Sequence, residues 1–296
     1  MKLGLAGQLP NLSEPRPAFL PGDWRQIDVR ACKRIRDAGF HGVTWFVNRP
    51  LEATQADVQH VQQAFKDAGL GIAQLNGWYE ALCSYDDRAR AQGVAGMIAL
   101  ARIGAMIQAP SVYVRPGGHN PNGHWYAHPD NHTQRTFDNI AESLRTVCAA
   151  AQQEGTPIAI EGHALSALDT PQRMRDLVDA VGSSVLKFNY DPVNFVGTVK
   201  QVHNTTSVLD DMFRLLGPIT VAAHAKDCKL GDQLVVHIEE VVPGTGVMDY
   251  ETFMRQFQQL APDGYFIIEH LPDEHVPAAR DNVVALAKRF GIPLDQ

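Results

Sequence analysis

Four short apolar runs each close on a side chain that can bind a metal ion: PIAIE on Glu161, VLKFNYD on Asp191, ITVAAH on His224 and YFIIE on Glu269. Three carboxylates brought together repel one another strongly unless a cation sits among them. Three oxygen-donor residues with one imidazole suit Mn²⁺, Mg²⁺ or Co²⁺, whereas zinc usually takes more nitrogen or sulfur. A single glutamate at a strand end is more often a cap or a rim charge, and a single histidine is more often structural. The set argues differently, because chance would have to place all four residues at matching positions. Alternate residues of a strand share a face. Glu161 falls with Ala159 and Pro157, His224 with Ala222 and Thr220, and Glu269 with Ile267 and Tyr265, so these side chains can converge on one rim.

The elements that must position them alternate along the chain. Eight β-like runs are read: Lys2–Leu9, Gly42–Val47, Gly71–Asn76, Ser111–Arg115, Pro157–Glu161, Val185–Asp191, Ile219–His224 and Tyr265–Glu269. Between them lie amphipathic stretches of helical period: Ile27–Ala38, Gln55–Ala68, Arg88–Ile107, Thr133–Gln153, Pro171–Val181, Ser207–Leu216, Tyr250–Leu260 and Val276–Phe290. Short buried strands alternating with helices mean βα units and a parallel sheet. Eight such units in 296 residues favour one closed (β/α)₈ barrel, a single α/β domain over residues 1–296. An open doubly wound sheet usually carries a G-x-G-x-x-G turn after its first strand, and PNLSEPRPAFLPGD stands here instead. In a barrel the active site lies at the C-terminal strand ends, which is where the four ligand candidates fall. The segment Lys229–Val242 reads as an insertion, a β-ribbon (LVVHIEEVV) beside that face.

The bulk numbers exclude some classes. A hydrophobic fraction of 45% and a charged fraction of 20% are those of a soluble globular protein. The net charge of −7 argues against nucleic acid as a partner. No apolar run reaches the ~20 residues needed to span a bilayer, so no membrane association is expected. The four cysteines, Cys32, Cys83, Cys148 and Cys228, are scattered, and no export signal is read, so a cytoplasmic location is expected.

IAIEGH at 158–163, FNYDPVNF at 188–195, HAKD at 224–227, FIIEH at 266–270 and PGTGVMDY at 243–250 resemble the xylose isomerase-like TIM-barrel superfamily over nearly the whole chain. The likeness is closest to the sugar isomerase and epimerase branch that includes D-tagatose 3-epimerase. The resemblance implies one divalent metal, Mn²⁺ first, held by Glu161, Asp191, His224 and Glu269, with Glu161 and Glu269 also acting as acid and base. It implies a small sugar-like substrate and assembly into two or four copies. Proton removal beside a ketone is helped by a cation that stabilises the enediolate, and two carboxylates on opposite sides can then act as base and acid. The pattern also departs from that branch. A histidine usual three residues after the metal aspartate is replaced by Asn194, and an arginine usual six residues after the metal histidine by Leu230.

Further polar residues fall on the same rim. Arg115 closes the fourth run in VYVRPGGH and can hold a substrate carboxylate or phosphate in a two-pronged contact, with a structural ion pair as the plain alternative. Lys226 shares the face of His224 and can neutralise enediolate charge, with Asp227 orienting it. His163 shares the face of Glu161. Asn194 joins these as a substrate-binding candidate. Lys187 lies about 13 Å below Asp191 at ~3.3 Å per residue and is read as a buried ion pair in the barrel floor. His119, His124, His128 and His132 crowd one long loop. We read that loop as a lid in which Trp125 and Tyr126 cover the substrate and His119 touches it, in preference to a second metal cluster. Trp45, Gln74 and Asn76 are candidates for the remaining wall.

The expected function is therefore a metal-dependent isomerase or epimerase of a keto-sugar or sugar derivative. The alternative is a lyase, a dehydratase or decarboxylase of a keto sugar acid or keto-inositol, which needs the same stabilised enolate and is favoured by Arg115 and by the two departures. The DNA-repair branch of the superfamily needs three metals and more strand-end histidines, and a noncatalytic sugar-binding barrel would not need all four ligands.

Overall fold

A computed structural model describes residues 1–6 and 20–295. Its strands are β1 (Lys2–Ala6), β2 (Gly42–Val47), β3 (Gly71–Gly77), β4 (Val112–Val114), β5 (Ile158–Ile160), β6 (Leu186–Tyr190), β7 (Thr220–His224), β8 (Asp227–Leu230), β9 (Ile238–Val241) and β10 (Tyr265–Ile268). All but β8 and β9 close into one parallel barrel in the order β1-β10-β7-β6-β5-β4-β3-β2. The first run, read to Leu9, is a strand through Ala6; Gly7–Leu9 and the turn as far as residue 19 lie outside the described residues.

The helices are α1 (Val29–Asp37), α2 (Gln55–Ala68), α3 (Asp87–Ile107), α4 (Gln134–Glu154), α5 (Pro171–Val181), α6 (Val199–Val202), α7 (Thr205–Leu216), α8 (Tyr250–Leu260) and α9 (Val276–Phe290). Local chemistry fixes their ends. The Thr54 hydroxyl accepts from Asp57 N while Asp57 reaches back to Thr54 N, a reciprocal cap that starts α2. Gly69, at φ +63°, ends it in the left-handed region. The one-turn helix α6 carries too few residues to leave a periodic signal, and the sequence reading had no element there.

Inside the barrel, Ala73, Ala222, Tyr265 and Ile267 pack together below the site. Room for the tyrosine ring comes from glycine. A Cβ on Gly42 would lie 2.5 Å from the Tyr265 ring, and one on Gly71 would lie 2.2 Å from its hydroxyl. Backbone and ring together plug this level of the interior. Outside, apolar strand residues such as Val43, Trp45 and Leu75 pack against the helices in the main core.

The expected ribbon is present, and it starts earlier than read. β8 and β9 pair antiparallel with Asp227 opposite Val241, so the ribbon leaves the barrel directly after His224. Its connecting turn exposes Leu234, Val235 and Val236. Among the described residues no helix is long and apolar enough to cross a membrane.

Candidate metal centre

Glu161, Asp191 and Glu269 each sit one residue past the last ladder residue of β5, β6 and β10, and His224 is the last residue of β7. Strand alternation aims all four inward. Each is buried, and one ligand atom from each lies within 4.8 Å of the others. His224 Nδ1 is 2.8 Å from Glu161 Oε2, 2.9 Å from Glu269 Oε1 and 3.7 Å from Asp191 Oδ2. Despite these approaches, Asp191 Oδ2, His224 Nδ1 and Glu269 Oε1 are buried without a hydrogen bond. These atoms meet one another and Lys226 Nζ only in ion pairs, the ammonium lying 2.6 Å from Asp191 Oδ2 and 3.1 Å from Glu269 Oε1. Their convergence, and donor types that suit hard cations, fit a single divalent ion.

The electrostatics agree. Burial works against charge on His224, yet the Glu269 and Glu161 carboxylates outweigh it and push the imidazole well above its usual range. Burial likewise works against ionised Glu269, but His224, His270 and Lys226 hold its carboxyl well below the usual carboxylate range. Glu269 is thus held ionised beside His224 and Lys226, and the cluster it belongs to could hold a divalent ion.

A second layer fixes these groups. Tyr113 OH donates to Glu161 Oε1 at 3.0 Å, Asn194 Nδ2 donates to the same oxygen at 2.8 Å, and Asn189 Nδ2 donates to Oε2. Gln74 Nε2 supports Asn189 Oδ1 and Ser111 Oγ, each at 3.2 Å. Gln74, expected only as a possible wall residue, is therefore a buried brace. Tyr113 and Asn189 were not singled out from the sequence. Each lies two residues before a candidate, Arg115 and Asp191, and so shares its face; that spacing was the available signal.

The ammonium of Lys226 is buried between Asp191 Oδ2 at 2.6 Å, Asn194 Oδ1 at 2.9 Å and Glu269 Oε1 at 3.1 Å. Burial disfavours its charge, but Asp191 and Glu269 hold its pKa well above the lysine range. Asp227 does not orient it. The Asp227 carboxylate instead accepts from Cys228 N and Met248 N on Oδ1 and from Gly244 N and Gly246 N on Oδ2, at 2.8–3.0 Å. This explains PGTG: a Cβ on Gly246 would meet Asp227 Oδ1 at 2.3 Å, and Gly244 takes φ +84°.

The other candidates spread more widely. Arg115 is buried beside Tyr79 and Trp78, and no ion pair to an acid is seen for it among the described residues. His163 Nδ1 accepts from Leu165 N at 3.1 Å, and its ring lies 5.6 Å from that of Trp125. Burial, and then the charge of Lys226, lower its pKa to about 4. His119 packs on Tyr85 with ring centroids 4.2 Å apart and hydrogen-bonds Thr136 Oγ1 at 2.9 Å, which ties it to the start of α4. His124 and His132 bind Gly118 O and Asp169, and among the described residues the loop histidines form no ligand cluster. Asn76 Oδ1 accepts from Gly77 N at 2.7 Å, a local turn contact.

Two expectations are corrected. Trp45 is no site wall: it faces outward between Trp24 and Phe65, each 5.7 Å away between ring centroids. Lys187 makes no ion pair among the described residues; it is half-buried at a surface hollow shared with Arg175, Asp179 and Ser184, where water can solvate its charge. His270, not expected, follows Glu269 in the left-handed region at φ +61°. Its Nδ1 lies 3.4 Å from Glu240 Oε2 of the ribbon.

Comparison with known proteins agrees with this architecture. A 3-keto-D-glucoside 4-epimerase from E. coli is 18% identical, with a TM-score of 0.69 over 97% of this chain and 99% of that one. A xylose isomerase-like TIM-barrel protein from Mycobacterium smegmatis, solved with magnesium, is 13% identical with a TM-score of 0.73 over 98% and 96%. A probable 3-DHS dehydratase from Bacillus anthracis is 15% identical with a TM-score of 0.69 over 98% and 100%. At these identities the likeness shows the fold alone. Among curated proteins nothing matches. The xylose isomerase-like TIM barrel family model matches residues 32–289, and the chain belongs to that family.

Proposed function

We propose that this chain is a divalent-metal-dependent isomerase or epimerase of a keto-sugar or close derivative. The observation that carries the reading is the convergence of buried Asp191 Oδ2, His224 Nδ1 and Glu269 Oε1 beside Glu161 at the barrel rim. A divalent ion held there supplies a Lewis acid that stabilises the negative charge of an enediolate. Mn²⁺ is the first choice, with Mg²⁺ and Co²⁺ as alternatives.

The residues of the chain divide the remaining work. Glu161 has both oxygens engaged, by Tyr113 and Asn194 on one and by Asn189 on the other, which fixes its direction. Among the described residues no hydrogen bond reaches Glu269 Oε2. That oxygen is the better placed to take the proton α to a carbonyl. Lys226 holds positive charge beside both Asp191 and Glu269 and offsets charge that develops on the substrate. Proton return from the far face by Glu161 in its protonated form inverts the carbon, and exchange with water then reloads Glu161 and empties Glu269. Return to the neighbouring carbon exchanges aldose for ketose.

A specific observation keeps a second reading, a dehydratase or decarboxylase on the same scaffold. Asn194 and Leu230 replace the histidine and arginine usual in the epimerase branch, and a dehydratase stands among the solved structures of this fold. Incubating the metal-loaded protein with a panel of ketoses in deuterated water tests both. Solvent deuterium entering the α position of an otherwise intact sugar supports the first reading. Release of water or carbon dioxide, with the matching change in product mass, supports the second. Loss of exchange in both Glu161→Gln and Glu269→Gln ties either outcome to this cluster.

A further inference from the structure

We propose that Arg115 receives a carboxylate of the substrate, so that the compound handled at this site is a sugar acid rather than a neutral sugar. The inference rests on the proposed metal-dependent site and names the substrate class it takes.

Arg115 follows β4 directly and shares the inward face of Tyr113, whose hydroxyl donates to Glu161. The side chain is only 5% exposed. A guanidinium does not lose its proton inside a protein, so this is a permanent buried charge. Buried charges are ordinarily paired, because desolvation costs several kcal/mol per ion. Among the described residues no carboxylate pairs with it. The contacts seen for it among the described residues are all neutral. Nη1 donates to Gly77 O at 3.3 Å and Nη2 to Tyr79 O at 3.5 Å, both long, and the rings of Trp78 and Tyr79 lie 4.9 and 4.5 Å from its central carbon. Two carbonyls and two aromatic rings hold the group in place without neutralising it.

Two carbonyls take two of the five guanidinium N–H donors, which leaves donors for a further acceptor. A carboxylate matches the guanidinium plane with two parallel hydrogen bonds. The plain alternative, an arginine paired with a neighbouring acid, is not what the structure contains among the described residues.

The test compares matched probes on Mg²⁺-loaded protein by isothermal titration calorimetry. Gluconate and sorbitol share a six-carbon polyol chain and differ in the carboxylate. Sorbitol 6-phosphate supplies the other common anion. Wild-type protein should bind gluconate roughly tenfold or more tighter than sorbitol, the effect of one charge-assisted pair. In Arg115→Met that preference should vanish, while sorbitol binding and metal content stay unchanged. Arg115→Lys keeps the charge and loses the fork, and should retain a reduced preference; it decides the matter if the methionine variant does not fold.

Equal binding of gluconate and sorbitol, or no gluconate binding, overturns the proposal. So does a gluconate preference that survives in Arg115→Met, which would mean the metal holds the carboxylate. Tighter binding of sorbitol 6-phosphate would overturn the choice of carboxylate. A protein that takes up no metal at all fails the underlying reading, which metal analysis shows separately.

Discussion

Asn194 holds Glu161 in place, its Nδ2 donating to Oε1 at 2.8 Å, and no titratable group is needed for the job. The same amide accepts from Lys226 Nζ at 2.9 Å through Oδ1. One side chain thus joins the acid that follows β5 to the ammonium that follows β7. A neutral imidazole could also donate and accept, but it gains a proton near pH 6.5 and then only donates. The amide offers a donor and an acceptor at every pH.

The first prediction concerns that link. Asn194→Ala leaves Lys226 without its uncharged acceptor and Glu161 with one donor fewer. Each buried group so exposed costs roughly 1–3 kcal/mol. At about 2–4 °C per kcal/mol for a chain of this size, Tm should fall by several degrees. Because no metal-facing atom is removed, metal content should be unchanged. Thermal melts and metal analysis read the two effects, and an unaltered Tm would show that the bridge contributes little.

A second prediction follows from the convergence of Asp191, His224 and Glu269 beside Glu161. Chelation should lower Tm, and Mn²⁺ should restore it with about one ion bound per chain. An ion at a hundred times its dissociation constant stabilises by about 2.7 kcal/mol. Asp191→Asn and His224→Ala should abolish the response, since each withdraws an atom from the convergence point. A shift of equal size in both variants would place the ion elsewhere.

The barrel was legible because its cues are local. Strand runs, helix stops such as Gly69 and caps such as Thr54 act within a few residues, and α2, α5, α8 and α9 begin and end where the spacing places them. The ligand set was legible because each member closes a strand, and strand alternation carries that position into three dimensions. What escaped depended on contacts between distant segments. Nothing local distinguishes Tyr113 or Asn189 from the apolar filling of their strands until Glu161 is seen beside them. Asp227 read as a partner of Lys226 because they are adjacent. Its partners are the neighbouring Cys228 amide and, from the far side of the ribbon, those of Gly244, Gly246 and Met248. Trp45 sits near a strand end, as the ligand candidates do, yet alternation and the aromatic pair Trp24 and Phe65 turn it outward.

Acid stability gives a third prediction, at Asp249. Its carboxylate caps α8 by accepting from Thr252 N at 3.1 Å and also accepts from Thr206 Oγ1 at 2.7 Å. Burial works to raise its pKa, but the hydrogen bonds of Thr252 and Thr206 outweigh it, and the folded value lies below the ordinary 3.8. A depressed carboxylate contributes stability above its unfolded pKa, and that contribution is lost as pH falls through the folded value. Asp249→Asn keeps an accepting oxygen at the cap but loses the charge at the helix N-terminus, and should therefore lower stability by roughly 0.3–1 kcal/mol at pH 7. The gap from wild type should close below about pH 4. Urea melts at pH 7 and pH 3.5 check this, and a gap that widened in acid would reverse the sign.

Lys226 gives the fourth. Its ammonium touches Asp191 Oδ2 and Glu269 Oε1, two of the oxygens that face the proposed ion. Without metal, the lysine is a principal balance for the three carboxylates, together with the imidazolium of His224. Removing one partner of a buried ion pair typically costs about 3–5 kcal/mol. Lys226→Met should therefore melt well below wild type when metal-free. A divalent ion brings positive charge to the same oxygens and no longer has a fixed cation beside it. The rise in Tm on adding Mn²⁺ should then be larger in the variant than in wild type, even though the variant remains the less active enzyme. An ammonium that served only to pack the rim would leave the metal-induced rise unchanged, so the difference between the two melting shifts is the quantity to measure.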